Sequence, residues 1–197
     1  VIPAPPYGVA LSPQRGRTQA IQGDGAEEAR LLWSRFMPLV EALAKDDTAH
    51  LFWTSWKEIW TRDCVATWFN VKSCVVWVKN VFGIGYYTRP QHEMAWYAHK
   101  GKPPTPAKAD SDLWFVPRVH RPVHSCEKPV ALLERAVRLC TYGEGQTVLD
   151  PFMGIGSTGV ASVRLGRKFV GIEIEPRYFD IACERIAAAQ SQGRLFA

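Results

Sequence analysis

The sequence has no apolar run close to the roughly 20 residues that a membrane-spanning helix needs, and no secretory signal pattern. Its five cysteines are odd in number and scattered, and no two of them form a C-x-x-C pair. This pattern argues against a disulfide framework and against a zinc site. We therefore expect a cytoplasmic protein that binds neither metal nor membrane. The chain starts at Val1 rather than at methionine, so we also expect residues upstream of it.

Acidic residues are the minority among the charged ones. The 24 Lys and Arg residues outnumber the 19 Asp and Glu residues, which gives a formal net charge of +5 at pH 7. A basic surplus favours an acidic partner, with nucleic acid foremost, although a basic enzyme without such a partner fits the charge equally well. The 197 residues, 47% of them hydrophobic, suit one compact α/β domain.

Hydrophobic periodicity divides the chain into helices and strands. It predicts helices over 27–45, 129–140, the residues after the turn at 151–156 to about Leu165, and 176–190. It predicts strands over 49–55, 74–79, 93–99, 147–150 and 168–174. The alternation of these elements indicates a mostly parallel sheet with helices on both faces, as in Rossmann-like folds.

A glycine-rich turn follows the strand predicted at 147–150. Residues 147–159 read TVLDPFMGIGSTG, with glycines at 154, 156 and 159. A strand, a glycine turn, a helix and a second strand that ends in an acid form the context in which such glycines bind a nucleotide cofactor. That acid, Glu173, is placed to accept hydrogen bonds from ribose hydroxyls.

The carboxylate of Asp150 stands directly before these glycines. It would repel a pyrophosphate at the N-terminus of the following helix, whereas it suits a cofactor with a cationic head and no phosphate. S-adenosylmethionine, which carries an ammonium, a sulfonium and a ribose, fits this description. Two alternatives stay open: a capping Asp with close-packed glycines and no ligand, and a nicotinamide-dependent oxidoreductase, which the glycines support and Asp150 opposes.

Three motifs resemble those of the amino-group DNA methyltransferases, which methylate adenine N6 or cytosine N4. They are DPFMGIGSTG at 150–159, GIEIEPRY at 171–178, and HSCEKP at 124–129, where Ser125 replaces the family's proline. The first residues, VIPAPPYG, resemble the catalytic loop [DNS]-P-P-[YFW]. A catalytic loop that precedes the cofactor loop is the order of the permuted β branch.

The resemblance implies a Rossmann-like S-adenosylmethionine-dependent methyltransferase fold in a single domain, 1–197. Its expected parts are the catalytic loop at 1–8, a mobile loop at 9–26, a short recognition region at 100–118 and a cofactor-binding half at 124–190. The implied cofactor-binding residues are Asp150, Phe152, Gly154, Gly156, Ser157, Thr158, Glu173, Lys128 and Pro129.

The implied catalytic residues are Ala4, Pro5, Pro6 and Tyr7. In the family, the first side chain of this loop and the carbonyl of the first proline grip both protons of the target amine, and the aromatic residue stacks on a base that has been flipped out of the duplex. Here Ala4 occupies the acceptor position and accepts no hydrogen bond. Losing such an acceptor costs about 10²–10³ in rate, so we expect an impaired enzyme.

Two explanations of Ala4 stay open. An engineered inactivation is favoured by the intact cofactor motif, and the other is a naturally impaired protein or one that uses a different acceptor. A relative without catalytic activity that binds S-adenosylmethionine or DNA is therefore an alternative function. Adenine N6 is favoured over cytosine N4 as the target, although the residue that would separate them is the one replaced.

The expected partner is double-stranded DNA, in a restriction-modification or phage system. The candidate phosphate contacts, each of which could equally be a solvated surface charge, are Arg15, Arg17, Lys79, Arg118 and Arg121. Glu93 supports a base pocket or, the favoured interpretation, forms a structural salt bridge. Because the recognition region is so short, sequence choice is relaxed or depends on the loop at 9–26, a second copy of the chain or a separate subunit.

Overall fold

The computed structural model describes residues 1–7, 25–104, 110–120, 122 and 126–194. Its helices are α1 Ala26–Leu43, α2 Thr61–Ala66, α3 Val130–Cys140, α4 Ser157–Arg164 and α5 Pro176–Arg194. Its strands are β1 Thr48–Thr54, β2 Asn70–Val78, β3 His92–Lys100, β4 Leu113–Phe115, β5 Thr147–Asp150 and β6 Lys168–Gly171. A short 3₁₀ helix, Trp56–Glu58, follows β1.

The strands form two groups. One has the order β1-β3-β2-β4, in which β3 is antiparallel to both of its neighbours and β2 is parallel to β4. The other is the parallel pair β5-β6. The sheet is therefore mixed, but among the described strands β3 alone is antiparallel to its neighbours, so the mostly parallel sheet predicted from the sequence is confirmed. The physical reason for the direction of β3 is that β2 and β3 follow each other without an intervening helix, and only an antiparallel pair can be joined in this way.

An extended segment, Val1–Pro3, joins the two groups. The Ile2 N–H donates to the Leu149 carbonyl of β5 at 3.0 Å. On the other side, the N–H groups of Leu51 and Trp53 in β1 donate to the carbonyls of Val1 and Pro3, both at 3.1 Å. Val1 is bonded to Leu51 and Pro3 to Trp53, so the segment runs in the same direction as β1. The spatial order is then β6-β5-(Val1–Pro3)-β1-β3-β2-β4.

Helices cover both faces of β1. Ala49, Leu51 and Trp53 belong to one buried cluster with residues of α3 and α4, whereas Phe52 belongs to a second cluster with residues of α1 and α2. Successive side chains of a strand point to opposite faces, so this alternation follows from the period of two. The Rossmann-like layering predicted from the sequence is confirmed.

The predicted element bounds differ from the observed ones in a few places. β2 begins at Asn70, four positions before the predicted start, and α3 begins at Val130 with Pro129 as its cap. β6 ends at Gly171 instead of 174, because its partner strand β5 ends at Asp150, where the glycine turn begins. The sequence interpretation missed α2 and β4.

Several elements meet at one edge of the sheet, here called the carboxyl edge. Thr54, the last residue of β1, lies opposite Met94 of β3, which in turn lies opposite Val76 near the end of β2. Asp150 ends β5 at the same edge, one residue beyond the partner of Ile2. Ligands of open α/β sheets bind outside the carboxyl ends of the strands, so this edge is where a site is expected.

Replacing Leu132 by alanine should destabilise the fold markedly. Leu132 is fully buried between α3 and the sheet. Its truncation removes apolar contacts and leaves a cavity, which we expect to lower the free energy of unfolding by about 2–4 kcal/mol in urea denaturation. The matched control is Leu39→Ala, because Leu39 is 64% exposed. Equal losses in the two variants would contradict the placement of the core.

Candidate active site

The residues after Val1–Pro3 form a loop at the carboxyl edge. Pro5 is buried, while Ala4 and Tyr7 are half-buried and pack against the cluster that contains Trp53. The Tyr7 hydroxyl donates to Glu93 Oε2 at 3.1 Å and accepts from Lys128 Nζ at 2.7 Å. The tyrosine hydroxyl is thus held by two hydrogen bonds.

Tyr7, Lys79, Glu93 and Lys128 form one connected set, here called the Glu93 network. Lys79 Nζ lies 2.7 Å from Glu93 Oε1, and Lys128 Nζ lies 3.3 Å from Glu93 Oε2. The Lys128 side chain is only 7% exposed, and its ammonium lies 5.2 Å from the ring centroids of both Tyr7 and Trp53. Aromatic faces stabilise a cation that has lost water in this way.

The charges of the network set the protonation of its members. Burial by itself raises the pKa of Glu93, but the nearby charges and hydrogen bonds of Lys128 and Lys79 outweigh it and lower that pKa to about 2. Burial, and after it the charge of Glu93, raises the pKa of Tyr7 well above its usual value. At neutral pH the network therefore holds an ionised Glu93 and a neutral tyrosine.

Asp150 organises the glycine turn. It is 2% exposed, and its Oδ1 accepts from the Phe152 N–H at 3.0 Å while its Oδ2 accepts from the Thr158 hydroxyl at 2.7 Å. Burial raises its pKa to about 6, although these hydrogen bonds act in the opposite direction. Both oxygens accept hydrogen bonds inside the turn, so Asp150 fixes the shape of the turn.

The three glycines of the turn have different roles. Gly154 has a φ of 54°, and a Cβ added to it would meet no atom within 4 Å, so the turn presents open space there. A Cβ at Gly156 would come within 2.8 Å of the Ala182 Cβ of α5, and one at Gly159 would overlap Ile186. The first glycine thus leaves room for a ligand, while the other two allow α4 and α5 to pack closely.

Two further polar groups face this space or border it. Glu173, just beyond β6, accepts from the Gly154 N–H at 2.9 Å and from the Glu175 N–H at 2.9 Å. The Ser157 hydroxyl at the start of α4 is buried and has no hydrogen-bond partner within the described part of the chain. A buried hydroxyl without a partner is rare in proteins and fits a ligand that would satisfy it.

The remaining predicted cofactor residues are structural neighbours of the turn. Phe152 packs edge-to-face on Phe36 of α1, with ring centroids 5.2 Å apart, and Pro129 caps α3. The sequence interpretation missed Ile172 and Ile174, which flank Glu173 and are 56% and 80% exposed. Their alternation with Glu173 was a signal for an apolar surface beside the predicted ribose contact.

The predicted DNA contacts are only partly described. Lys79 lies in the Glu93 network, and Arg118 is exposed with its backbone N–H bonded to Asn80 Oδ1 at 3.1 Å, which places both at the carboxyl edge. Arg15, Arg17 and Arg121 lie outside the described residues, as do His124, Ser125 and most of the loop at 9–26. Among the described residues, no cluster of metal-ligating side chains is present and no helix is long and apolar enough to span a membrane.

Glu93 makes a hydrogen bond to Tyr7 that the sequence analysis did not predict. The favoured expectation was a structural salt bridge, and Glu93 does form one, with Lys79 and Lys128. The same carboxylate also accepts from the Tyr7 hydroxyl, so the salt bridge is hydrogen-bonded to the candidate catalytic loop. Lys79 and Glu93 flank the β2–β3 connection, and that symmetry was the available signal.

Known proteins match nearly the whole chain. A family model described as DNA methylase, for N6 and N4 methyltransferases, matches residues 1–184. The putative methylase YubD of Escherichia coli K12 is 31% identical over 194 residues, which cover 96% of this chain and 82% of that protein. The type II methyltransferase M2.DpnII of Streptococcus pneumoniae is 49% identical over 65 residues, 33% of this chain and 24% of that protein.

Solved structures agree with this assignment. The M1.HpyAVI–SAM complex superposes with a TM-score of 0.70 at 25% identity, covering 94% of this chain and 86% of that one. The cytosine-N4-specific PvuII DNA methyltransferase superposes with a TM-score of 0.71, covering 98% of this chain and 84% of that one. Its identity of 15% supports the fold alone.

Replacing Glu93 by glutamine should change the pH dependence of stability. The pKa of Glu93 is lowered from 4.5 to about 2 in the folded chain, so its contribution is complete above about pH 4.5 and is lost as the pH falls through about 2. The glutamine variant should lack this component. It should also be less stable at pH 7, by about 2–3 kcal/mol, because two lysines lose their counter-charge at a site that is still one-fifth exposed.

Urea denaturation between pH 2 and pH 7 measures both effects. Asp63→Asn is the control, because the Arg62–Asp63 pair is 55% and 80% exposed and should contribute little. A Glu93→Gln variant whose stability follows that of the parent chain across this range would refute the assignment of the network.

Proposed function

The chain belongs to the DNA methylase family of N6 and N4 methyltransferases, and we propose that it transfers a methyl group from S-adenosylmethionine to an exocyclic amino group of double-stranded DNA. The observation that carries the proposal is the placement of Ala4–Tyr7 beside the glycine turn. The strand-like Val1–Pro3 and β5 are neighbours, so both loops leave the carboxyl edge side by side. In-line transfer requires such proximity of donor and acceptor.

The residues of the turn fit the proposed cofactor. The open face of Gly154 admits a nucleoside without a clash, the unpartnered Ser157 hydroxyl offers a hydrogen bond, and Glu173 borders the space with a carboxylate for the ribose. Ionised Asp150 adds negative charge behind the turn, which favours a cation over a diphosphate. When bound, S-adenosylmethionine supplies a methyl group on a positively charged sulfur. M1.HpyAVI, a structural relative, forms a SAM complex.

The catalytic loop supplies the groups for the amine. Pro5 follows directly on Val1–Pro3 and Ala4, and its backbone carbonyl is the proposed acceptor for one N–H of the target nitrogen. Tyr7 is the proposed stacking surface for a flipped base. Lys128 and Glu93 hold its hydroxyl, so little ring freedom is lost when a base arrives. Lys128 and Pro129, which lead into α3, thereby connect the cofactor half to the catalytic loop.

Ala4 weakens this arrangement. Its methyl group leaves the second N–H of the amine without the side-chain acceptor that the family motif provides. We propose that the chain binds S-adenosylmethionine but methylates slowly, and Ala4 also supports a second candidate, a relative that binds cofactor or DNA without catalysis. Adenine N6 is the proposed target. A second copy of the chain or a separate subunit is the proposed source of sequence recognition. The proposed location of the protein is the cytoplasm.

Replacing Ala4 by aspartate should accelerate methyl transfer. An added acceptor at this position restores the grip on both amine protons, and we expect about 10²–10³ more turnover. Transfer of radiolabelled methyl groups to mixed genomic duplex DNA measures it without a known recognition sequence. Chromatography of the digested product then separates N6-methyladenine from N4-methylcytosine.

Ala4→Leu is the matched control, because leucine has the branched shape of aspartate without its oxygens and should not gain activity. If the unmodified chain already turns over as fast as Ala4→Asp, the proposed impairment is wrong. If neither protein transfers a methyl group while both bind the cofactor, this result supports the second candidate function, a relative that binds cofactor or DNA without catalysis.

A further inference from the structure

The connection between β2 and β3, residues 79–91, carries an unusual group of exposed rings. It is called the Tyr86 hairpin here. Tyr86 and Tyr87 are 94% and 95% exposed, Ile84 is 75% exposed and Phe82 is 59% exposed. Large apolar and aromatic side chains gathered at one exposed site mark an interaction surface, because leaving them in water is unfavourable.

The Tyr86 hairpin has internal structure. At its base, the Lys79 backbone N–H donates to the Gln91 backbone carbonyl at 2.8 Å. The Gln91 side-chain amide Nε2 donates to the Lys79 backbone carbonyl, also at 2.8 Å. Further out, the Gly83 N–H bonds the Pro90 carbonyl at 2.7 Å, and Arg89 Nε bonds the Gly83 carbonyl at 2.8 Å. A Cβ at Gly85 would collide with the Thr88 carbonyl. The tip is thus presented by a folded turn, so its backbone needs little further ordering on binding.

The hairpin rises from the candidate active site. Val78 and His92 form the strand pair at the base of the hairpin. Lys79 follows Val78 in the chain, and Glu93 follows His92. These two are ion-paired at 2.7 Å, and Glu93 accepts from the Tyr7 hydroxyl. Glu93 therefore connects the base of the hairpin to the proposed catalytic loop, and the tip of the hairpin projects from the carboxyl edge, the edge that DNA must approach.

The charge of the hairpin suits a polyanion. Residues 79–91 contain neither Asp nor Glu; Arg89 lies near the tip, and Lys79 at the base is paired with Glu93. Arg118 is exposed next to the hairpin, because its backbone N–H bonds the Asn80 side chain. Basic residues interleaved with aromatic ones are typical of surfaces that contact phosphates with their cations and bases with their rings.

We propose that the Tyr86 hairpin is a DNA-contacting element whose tyrosine rings stack on bases next to the flipped target nucleotide. This rests on the proposed function, because removing a nucleotide from the duplex breaks stacking on both of its sides. Aromatic side chains offset that loss by occupying the space or by stacking on the exposed neighbours. Tyr86 and Tyr87, at an edge-to-face centroid distance of 5.2 Å, form a two-ring surface for this purpose.

The test compares the double variants Tyr86→Ala/Tyr87→Ala and Tyr86→Phe/Tyr87→Phe with the parent chain. Fluorescence anisotropy with a labelled random-sequence duplex measures DNA affinity at several salt concentrations. We expect the alanine variant to bind about tenfold more weakly or worse and the phenylalanine variant to stay within about twofold. The slope of affinity against salt should stay unchanged, because the rings carry no charge.

Trp68→Ala is the control for loss of an exposed ring, since Trp68 is 41% exposed and precedes β2 at the opposite edge of the sheet. It should leave DNA affinity unchanged. Titration with S-adenosylhomocysteine reports separately on the proposed function and should be identical in all variants. A parent chain that ignores this compound while its DNA affinity depends on the tyrosines would refute the proposed function and support the hairpin.

Three outcomes would overturn the inference. The first is an alanine variant that binds DNA as the parent does, and the second is a parent chain that binds no DNA. The third is a parent chain that self-associates in sedimentation experiments through the tyrosines while DNA affinity is independent of them, because the hairpin would then join two copies of the chain.

Discussion

Three backbone hydrogen bonds determine where the chemistry of this protein can occur. They hold Val1–Pro3 between β1 and β5, and without them the two strand groups would have no common edge. Because Ile2 is bonded to Leu149 of β5 and Pro3 to Trp53 of β1, Ala4 and the residues after it emerge beside Asp150. The glycine turn and the candidate catalytic loop are distant in sequence, and this pairing brings them together.

Two carboxylates then give the site its electrostatic character. Asp150 is buried and the Glu93 side chain is 20% exposed, yet the pKa of Glu93 falls to about 2 and that of Asp150 rises to about 6. The difference lies in their partners. Glu93 has two ammonium groups within ion-pair distance, whereas Asp150 is stabilised by a hydroxyl and one backbone N–H. Lys128 bridges the two regions, since its charge lowers the pKa of both acids.

The sequence predicted the local parts of the site well, because each part is encoded by contiguous residues. The glycine turn, the helix after it and the position of Glu173 follow from spacing, and the layered fold follows from periodicity. The family resemblance supplied the meaning of Ala4–Tyr7, for which A-P-P-Y by itself is a weak signal. The distinct tasks of Gly154 and Gly159 were hidden, because they depend on what α5 places beside each one.

Contacts between distant residues were beyond the sequence interpretation. Tyr7, Glu93 and Lys128 come from three separate regions, and only the folded sheet shows that they share hydrogen bonds. The antiparallel placement of β3 has the same origin, since periodicity does not specify strand direction. The sequence analysis made no prediction for the Tyr86 hairpin, because periodicity does not show that its rings are exposed.

The central claim is that the glycine turn, with a buried acid behind it, accepts a sulfonium nucleoside and rejects a diphosphate. Calorimetric titration of the purified protein with S-adenosylmethionine, S-adenosylhomocysteine and NAD⁺ tests it most directly. The account predicts saturable one-site binding of the first two and no measurable heat with NAD⁺. Tight binding of NAD⁺ together with indifference to both adenosyl compounds would contradict it.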